Sequence, residues 1–181
     1  MIDRRSALKQ FAFISAGIAF LPSCMHDKSK ASIILKNIPV DGDQEKMLAE
    51  LAETIIPKTN TPGAKDISAH LFALKMVDDC YKKEDQQKFM QGLAAFEKTT
   101  KDKAGKSFID CTPQQREQLL KNMEASKNAT DDAVQFYNTM KALTIRAYTT
   151  SQFYLTNVRV YKLVPGPFKG CVPVPGAATV S

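Results

Sequence analysis

The sequence has no tryptophan, two histidines and four cysteines among its 181 residues. No Cys-x-x-Cys or Cys-x-x-Cys-His pattern occurs, which excludes the common zinc motifs and covalent haem attachment. The dinucleotide-binding Gly-x-Gly-x-x-Gly, the phosphate-binding loop and the Gly-x-Ser-x-Gly elbow are also missing. We therefore expect that this chain binds no cofactor or metal and catalyses no reaction.

The sequence also has neither a membrane-spanning apolar run nor a basic stripe that would bind nucleic acid. No apolar run reaches the roughly 20 residues that a membrane-spanning helix needs. The net charge is +6, but the lysines are scattered rather than gathered into a basic stripe, so nucleic acid is not an expected partner. The composition, 44% hydrophobic and 24% charged, is typical of a globular protein with room for one domain.

The first residues carry the features of an export signal. A charged start is followed by an apolar run from Phe11 to Leu21. The adjacent arginines at its head are typical of the twin-arginine route, which carries proteins that are already folded. Ordinary signals also begin with lysine and arginine, so the general secretion route stays open. The predicted signal peptide spans residues 1–23, and the residues assigned to its recognition are Arg4, Arg5, Leu8 and Lys9.

Cys24 is the predicted lipid anchor. Ser23 directly before it and Leu21 three positions before it resemble the bacterial lipoprotein box, in which the cysteine is acylated and becomes the first mature residue. The alternative is an ordinary signal peptide with a coincidental cysteine. We expect a periplasmic protein that is lipid-anchored to the membrane and that meets the twin-arginine translocon during export. Residues 24–40 are then predicted as a tether between anchor and body.

Residues 41–181 are predicted to form a single, mostly α domain of five helices, because apolar residues recur at three- and four-residue spacing. Thr112-Pro113-Gln114-Gln115 is a capping box with proline at the first helical position. We expect a solvated loop at the lysine-rich residues 99–106, a solvated or capping role for Asp78 and a packing or capping role for His70. The predicted helices span about residues 43–56, 66–81, 83–98, 113–125 and 132–148.

The end of the chain, from about residue 150 to 181, is rich in proline and glycine and is predicted to be an extended arm. Such an arm either wraps its own domain or pairs with another protein. Cys171 lies in this arm, and its candidate disulfide partners are Cys80 and Cys111. The sequence does not choose between these partners, and free thiols are the third alternative.

The chain has no cofactor motif, yet its predicted twin-arginine signal is typical of proteins that are exported folded. Together these features indicate a chain that carries the export signal for a partner that binds a cofactor. Two long, irregular strings then carry a resemblance. Residues 51–64 are LAETIIPKTNTPGA and residues 164–173 are VPGPFKGCVP, with TMKALT at 139–144 between them. In this order and separation they resemble the gluconate 2-dehydrogenase subunit 3 family over about residues 45–174. Ala147 and Gln152 depart from the glycine and glutamate that are frequent in that family.

The resemblance implies a non-catalytic small subunit of a periplasmic dehydrogenase that oxidises a sugar or sugar acid. Its large partner, of the glucose-methanol-choline oxidoreductase type, would bind FAD, and a cytochrome c subunit would accept the electrons in some complexes. This chain would supply the twin-arginine signal and assist maturation of the catalytic subunit. The alternative is a free-standing periplasmic lipoprotein that binds a ligand or scaffolds the envelope. The residues expected to contact the partner are Pro57, Thr61, Pro62, Gly63, Thr150, Ser151, Pro165, Gly166, Gly170 and Pro173.

Overall fold

The computed structural model describes residues 29–126 and 131–159, together with Val164, Gly166, Pro167, Gly170 and Cys171. These residues form five α-helices and no β-strand, which confirms the prediction of a mostly α, five-helix domain. A short π-helix, π1, follows the fifth α-helix. None of the helices in the described ranges is long and apolar enough to cross a membrane. The elements are α1 Gly42–Ile55, α2 Ala69–Cys80, α3 Lys83–Ala104, α4 Pro113–Ala125, α5 Asp132–Thr149 and π1 Tyr154–Val158.

Side-chain caps fix where three of the helices begin. The Asp41 side chain accepts hydrogen bonds from the backbone of the first turn of α1, and the Gln44 side chain accepts one from Asp41 N, so a full capping box is present. Thr112 and Gln115 form the predicted box at α4. At α5, the Asp131 side chain accepts from Ala133 N. Each cap accepts from N–H groups that have no partner inside the helix. Because only a few residue types can do this, a helix start can be recognised in the sequence.

The main core lies where α3 and α5 pack together. Phe136 on α5 lies between Phe89 and Phe96 on α3, with ring centroids 5.1 and 5.4 Å away. Gly92 allows this approach, because a Cβ there would lie 2.7 Å from both Asp132 O and Phe136 Cβ. A second, smaller cluster joins the end of α1, the start of α2 and the end of α5. Its buried members are Ala52, Ala64, Ala69 and Ala147.

Two helix boundaries differ from the prediction. The expected loop at residues 99–106 is wrong for residues 99–104, since α3 continues to Ala104 and is capped by Gly105, whose φ is +70°. Thr100 is fully buried, and its hydroxyl donates to Phe96 O at 2.9 Å, while the lysines around it point outward. The second helix begins at Ala69 rather than near Asp66, because residues 64–68 form turns and Ser68 has a φ of +55°.

Residues 29–41 form a non-helical segment that we call the strap. Its base is closed by an isolated bridge between Lys30 and Asp41 and by a hydrogen bond from Gly42 N to Ser29 O. Ser32 donates to the Glu45 carboxylate from both its N–H and its hydroxyl. Ile38 is buried in the main core. The strap therefore lies against the body, so the predicted tether over residues 24–40 is wrong for residues 29–40, and residues 24–28 lie outside the described ranges.

Asp78 holds the strap in place. Its carboxylate is 1% exposed and accepts from the backbone N–H groups of Lys36, Asn37 and Ile38 at 2.9, 2.6 and 3.1 Å. Burial by itself would raise the pKa of Asp78, but the three N–H donors outweigh it and lower the pKa. Asp78 is thus a buried acceptor for a distant loop, and the expectation of a solvated side chain is wrong.

The predicted extended arm is wrong for its first residues. The chain after α5 turns at Ser151 and forms π1, in which Arg159 N donates to Tyr154 O at 2.8 Å. The physical reason is ring packing, since Phe153 and Tyr154 both make edge contacts with Tyr148. The description of the arm beyond Arg159 is limited to Val164, Gly166, Pro167, Gly170 and Cys171.

Candidate partner-docking surface

The structure brings together two of the predicted docking stretches, which are nearly ninety residues apart in the sequence. The loop from Pro57 to Gly63 follows α1, and Thr150 and Ser151 follow α5. The Tyr148 hydroxyl lies 3.5 Å from the Thr61 hydroxyl across this junction. Below it, Ala64 and Ala147 share one buried cluster. We call the region formed by residues 57–63 and 145–158 the candidate surface; most of its residues are exposed or half-buried, and Gly63 and Ala147 are buried.

The loop half of the candidate surface is held by two carboxylates. Glu53, on the last turn of α1, accepts from Lys58 N at 2.8 Å and from Lys65 N at 2.9 Å. Asp66 accepts from Gly63 N at 3.0 Å and from Lys58 Nζ at 3.2 Å. The Gly63 N–H and then the Lys58 ammonium lower the pKa of Asp66. Because these bonds fix the loop before any partner arrives, little further ordering is needed on binding.

Glycine is required at position 63 because there is no room for a side chain, and not because of its backbone angles. A Cβ at this position would lie 2.5 Å from both carboxylate oxygens of Glu53 and 2.7 Å from Lys58 N. The side chain of any other residue would therefore displace Glu53 from the loop. This accounts for the glycine in the sequence string that carries the family resemblance.

The other half of the candidate surface is aromatic. The Tyr148 ring centroid lies 6.4 Å from that of Phe153 and 6.2 Å from that of Tyr154, both in edge-on geometry. These rings are half-buried, and two aliphatic side chains of the same stretch of chain are open to solvent, Ile145 at 43% and Val158 at 57%. Exposed aromatic and aliphatic groups around a rigid loop are typical of protein interfaces.

The hydroxyls of Thr150 and Ser151 are used within the chain. Thr150 Oγ1 donates to Arg146 O at 2.7 Å. Ser151 Oγ donates to Tyr148 O at 2.7 Å and accepts from Tyr154 N at 3.2 Å. They end α5 and orient π1, so they position the rings. A docking role for these two residues stays a prediction, and the sequence did not show which rings they position.

Behind the loop, Glu50 connects α1 to α4. Its carboxylate accepts from Lys65 Nζ at 2.5 Å and from Arg116 Nη1 at 2.6 Å. Arg116 also donates to Phe108 O and Ile109 O. The hydrogen bond from Lys65, and after it that from Arg116, keeps the pKa of Glu50 low against the opposing effect of burial. This network supports the loop from below and was not predicted from the sequence.

His70 lies inside the protein rather than on the surface. It is 9% exposed, and its Nδ1 has no hydrogen-bond partner among the described residues. Burial lowers the pKa of His70, with Glu45 opposing and Lys65 reinforcing the effect. The described ranges hold no group of three or more histidine, cysteine or carboxylate side chains suited to a metal ion.

Several predicted residues lie elsewhere. The signal and anchor residues Arg4, Arg5, Leu8, Lys9 and Cys24 fall outside the described residues, as do Pro165 and Pro173. Gly166 and Gly170 are exposed. Cys80 and Cys171 are exposed free thiols and Cys111 is a buried one, so the structure joins Cys171 to neither candidate.

A family model described as gluconate 2-dehydrogenase subunit 3 matches residues 42–166, which is more than half of the chain. The chain belongs to the gluconate 2-dehydrogenase subunit 3 family. Neither the curated proteins nor the solved structures that were searched contain a match. In this subunit 3 protein the family match begins at the first residue of α1 and includes both halves of the candidate surface. The strap precedes the matched region.

Proposed function

We propose that this protein is the non-catalytic small subunit of a periplasmic sugar or sugar-acid dehydrogenase complex. Its partner is a large FAD-binding subunit of the glucose-methanol-choline type, with a cytochrome c subunit as a further member. The observation that carries the proposal is the family match across all five α-helices, because the family name denotes a subunit of a dehydrogenase.

The geometry of the candidate surface supports a stable complex. Glu53 and Asp66 hold the loop in one shape, and Tyr148, Phe153 and Tyr154 offer half-buried rings beside it. A pre-shaped patch with aromatic groups binds with a smaller entropy loss than a loop that must fold on contact. We propose that the large subunit docks here, so that the small subunit accompanies it during maturation.

The sequence before the strap supports a role in export. We propose that Arg4 and Arg5 direct the folded pair to the twin-arginine translocon and that Cys24 anchors the complex to the membrane afterwards. A flavoprotein must bind FAD before it crosses by this route. The small subunit then provides the export signal for a partner that lacks one.

The test is to compare strains that lack this chain, express it, or express the Arg4→Lys, Arg5→Lys double variant. We expect dehydrogenase activity in the periplasm only with the intact chain, and activity retained in the cytoplasm with the double variant. The double variant keeps the positive charge of the signal and leaves the folded body unchanged. It therefore separates a loss of export from a loss of assembly with the partner. Unchanged periplasmic activity without this chain would overturn the proposal.

The alternative of a free-standing periplasmic lipoprotein makes a different prediction. Affinity purification from detergent-solubilised membranes would then recover this chain without a flavoprotein. Recovery of a flavin-containing subunit in near-equal amount supports the complex instead. Flavin absorbance in the eluate, measured against total protein, gives the stoichiometry.

A further inference from the structure

The strap presents one apolar side chain to solvent. Ile33 and Leu35 both pack against the main core, and the alternation of an extended chain directs Ile34 between them outward. Ile34 is 86% exposed, the largest value among the exposed large apolar residues of the described ranges. The strap is pinned on both sides of this residue, at Ser32 by Glu45 and at residues 36–38 by Asp78. Ile34 therefore cannot turn inward without breaking those bonds.

Cations flank the exposed isoleucine. Lys30 and Lys36 are both exposed and lie on either side of it in the strap. An apolar side chain between lysines is the arrangement that interfacial segments use, because the apolar group enters the acyl boundary while the ammonium groups meet anionic headgroups. Charge complementarity thus favours a lipid surface over an apolar protein groove as the occupant.

The short distance along the chain between the strap and the predicted anchor also favours a lipid surface. Four residues lie between Cys24 and Ser29, so the five Cα–Cα steps of a fully extended chain would span at most about 18 Å. Ser29 is itself fixed at the start of α1 by its carbonyl, which accepts from Gly42 N, and by its hydroxyl, which donates to Asp43 at 3.1 Å. An acylated Cys24 would hold the strap next to the bilayer.

We propose that the strap is a second membrane contact, in which Ile34 inserts into the bilayer interface and Lys30 and Lys36 face anionic headgroups. This inference rests on the proposed acylation of Cys24. It also sets the orientation of the protein. The strap lies at the start of α1 and the candidate surface follows its end, and the 14 residues of α1 separate them by about 21 Å. The docking surface then faces away from the membrane.

The chain contains no tryptophan, so a single introduced tryptophan reports its own surroundings. The experiment places Ile34→Trp, and separately Ile145→Trp as the matched control, in the full-length exported protein. Each purified variant is reconstituted in vesicles of phosphatidylethanolamine and phosphatidylglycerol, with and without brominated acyl chains. The mass of the mature chain is measured on the same sample and reports acylation independently.

We expect the Ile34→Trp emission to shift to shorter wavelength and to be quenched by brominated lipid, while Ile145→Trp is unaffected. Replacing Lys30 and Lys36 by glutamine should reduce the quenching of Ile34→Trp in these vesicles and leave it unchanged in zwitterionic ones. Absence of quenching at Ile34→Trp in acylated protein overturns the strap contact and leaves the proposed function intact.

Three other outcomes also overturn the inference. Quenching of both variants would contradict the orientation. A shorter-wavelength emission at Ile34→Trp without lipid quenching would show that protein, not lipid, covers this residue. An unacylated Cys24, read from the mass, contradicts the anchoring part of the proposed function, and the strap contact falls with it.

Discussion

The strap before α1 and the loop after it are both non-helical, and both are held by carboxylates that accept backbone N–H groups. The difference lies in where those carboxylates sit. Asp78 is buried and serves three consecutive N–H groups of the strap, whereas Glu53 and Asp66 serve the loop from partly exposed positions. A buried acceptor makes the strap part of the fold, and exposed acceptors leave the loop available for contact.

The two regions also differ in what lies beside them. The strap covers one side of the main core and precedes the family match, which begins at residue 42. The loop lies within the match and adjoins the rings after α5. Under the proposals above, one end of α1 serves stability and placement and the other serves partner recognition. The predictions below are designed to separate the two assignments.

The largest effect is expected at Asp78. The Asp78→Ala change leaves the N–H groups of residues 36–38 without their acceptor, and we expect unfolding free energy to fall by about 3 kcal/mol. Urea denaturation gives the stability, and amide hydrogen exchange at residues 36–38 gives the release of the strap. The neighbour Asp79 is the control, since its exposed ion pair with Lys75 should contribute less than about 1 kcal/mol. Equal effects at the two aspartates would contradict the assignment.

A second comparison uses two glycines that are both tightly packed. Gly63→Ala should displace Glu53 and the loop, and Gly92→Ala should push α3 from α5, each with a stability loss of about 2 kcal/mol. Only Gly63→Ala should weaken recovery of the large subunit, because Gly92 lies in the core far from the loop. Similar loss of the partner with both variants would show that stability, not the loop, governs assembly.

Truncation of the ring at the centre of the candidate surface should act on binding more than on folding. Tyr148→Ala is expected to weaken the complex about tenfold, as removal of a central aromatic contact often does. Tyr148→Phe keeps the ring and loses only the hydroxyl near Thr61, so it should bind nearly as well as the unmodified chain. Dissociation rates of the purified complex provide the measurement. Binding unchanged by Tyr148→Ala would place the interface elsewhere.

The smallest effect concerns pH. Burial lowers the pKa of His70 below its ordinary 6.5 in the folded protein, so the unfolded chain takes up the proton first. Stability should be fully present above about pH 6.5 and should decline as pH falls from there towards the lower folded-state pKa. His70→Gln should flatten this slope, as denaturation midpoints between neutral and mildly acidic pH would show. An unchanged slope would mean that other groups titrate in this range.

Local signals made the helices predictable, and contacts between distant residues limited the prediction elsewhere. The capping boxes at Asp41 and Thr112 are contained within four residues, so the sequence reveals them directly. The bond from Asp78 to the strap spans about forty residues and has no local signature. One clue was present, because Asp78 is four residues after Leu74 and therefore falls on the apolar stripe of α2.

The same reasoning applies to the candidate surface. The predicted docking residues follow the strings that carry the family resemblance, whereas the rings of the surface were not predicted. The meeting of Thr61 with Tyr148 depends on how α1, α2 and α5 pack. The end of α3 was predicted too early because its last turns are rich in lysine. Those lysines lie on the solvent side of a helix whose inner side carries Thr100. The arm was misjudged at π1 because ring contacts with Tyr148, rather than backbone propensity, decide that turn.

The most direct measurement is hydrogen exchange on the chain alone and in complex with the flavoprotein recovered from membranes. The account predicts near-equimolar flavin in the complex, with new protection at residues 57–63 and 148–155 and none at residues 36–38, which lie in the strap outside the candidate surface. Recovery of the chain without flavin, or new protection confined to the strap, would contradict it.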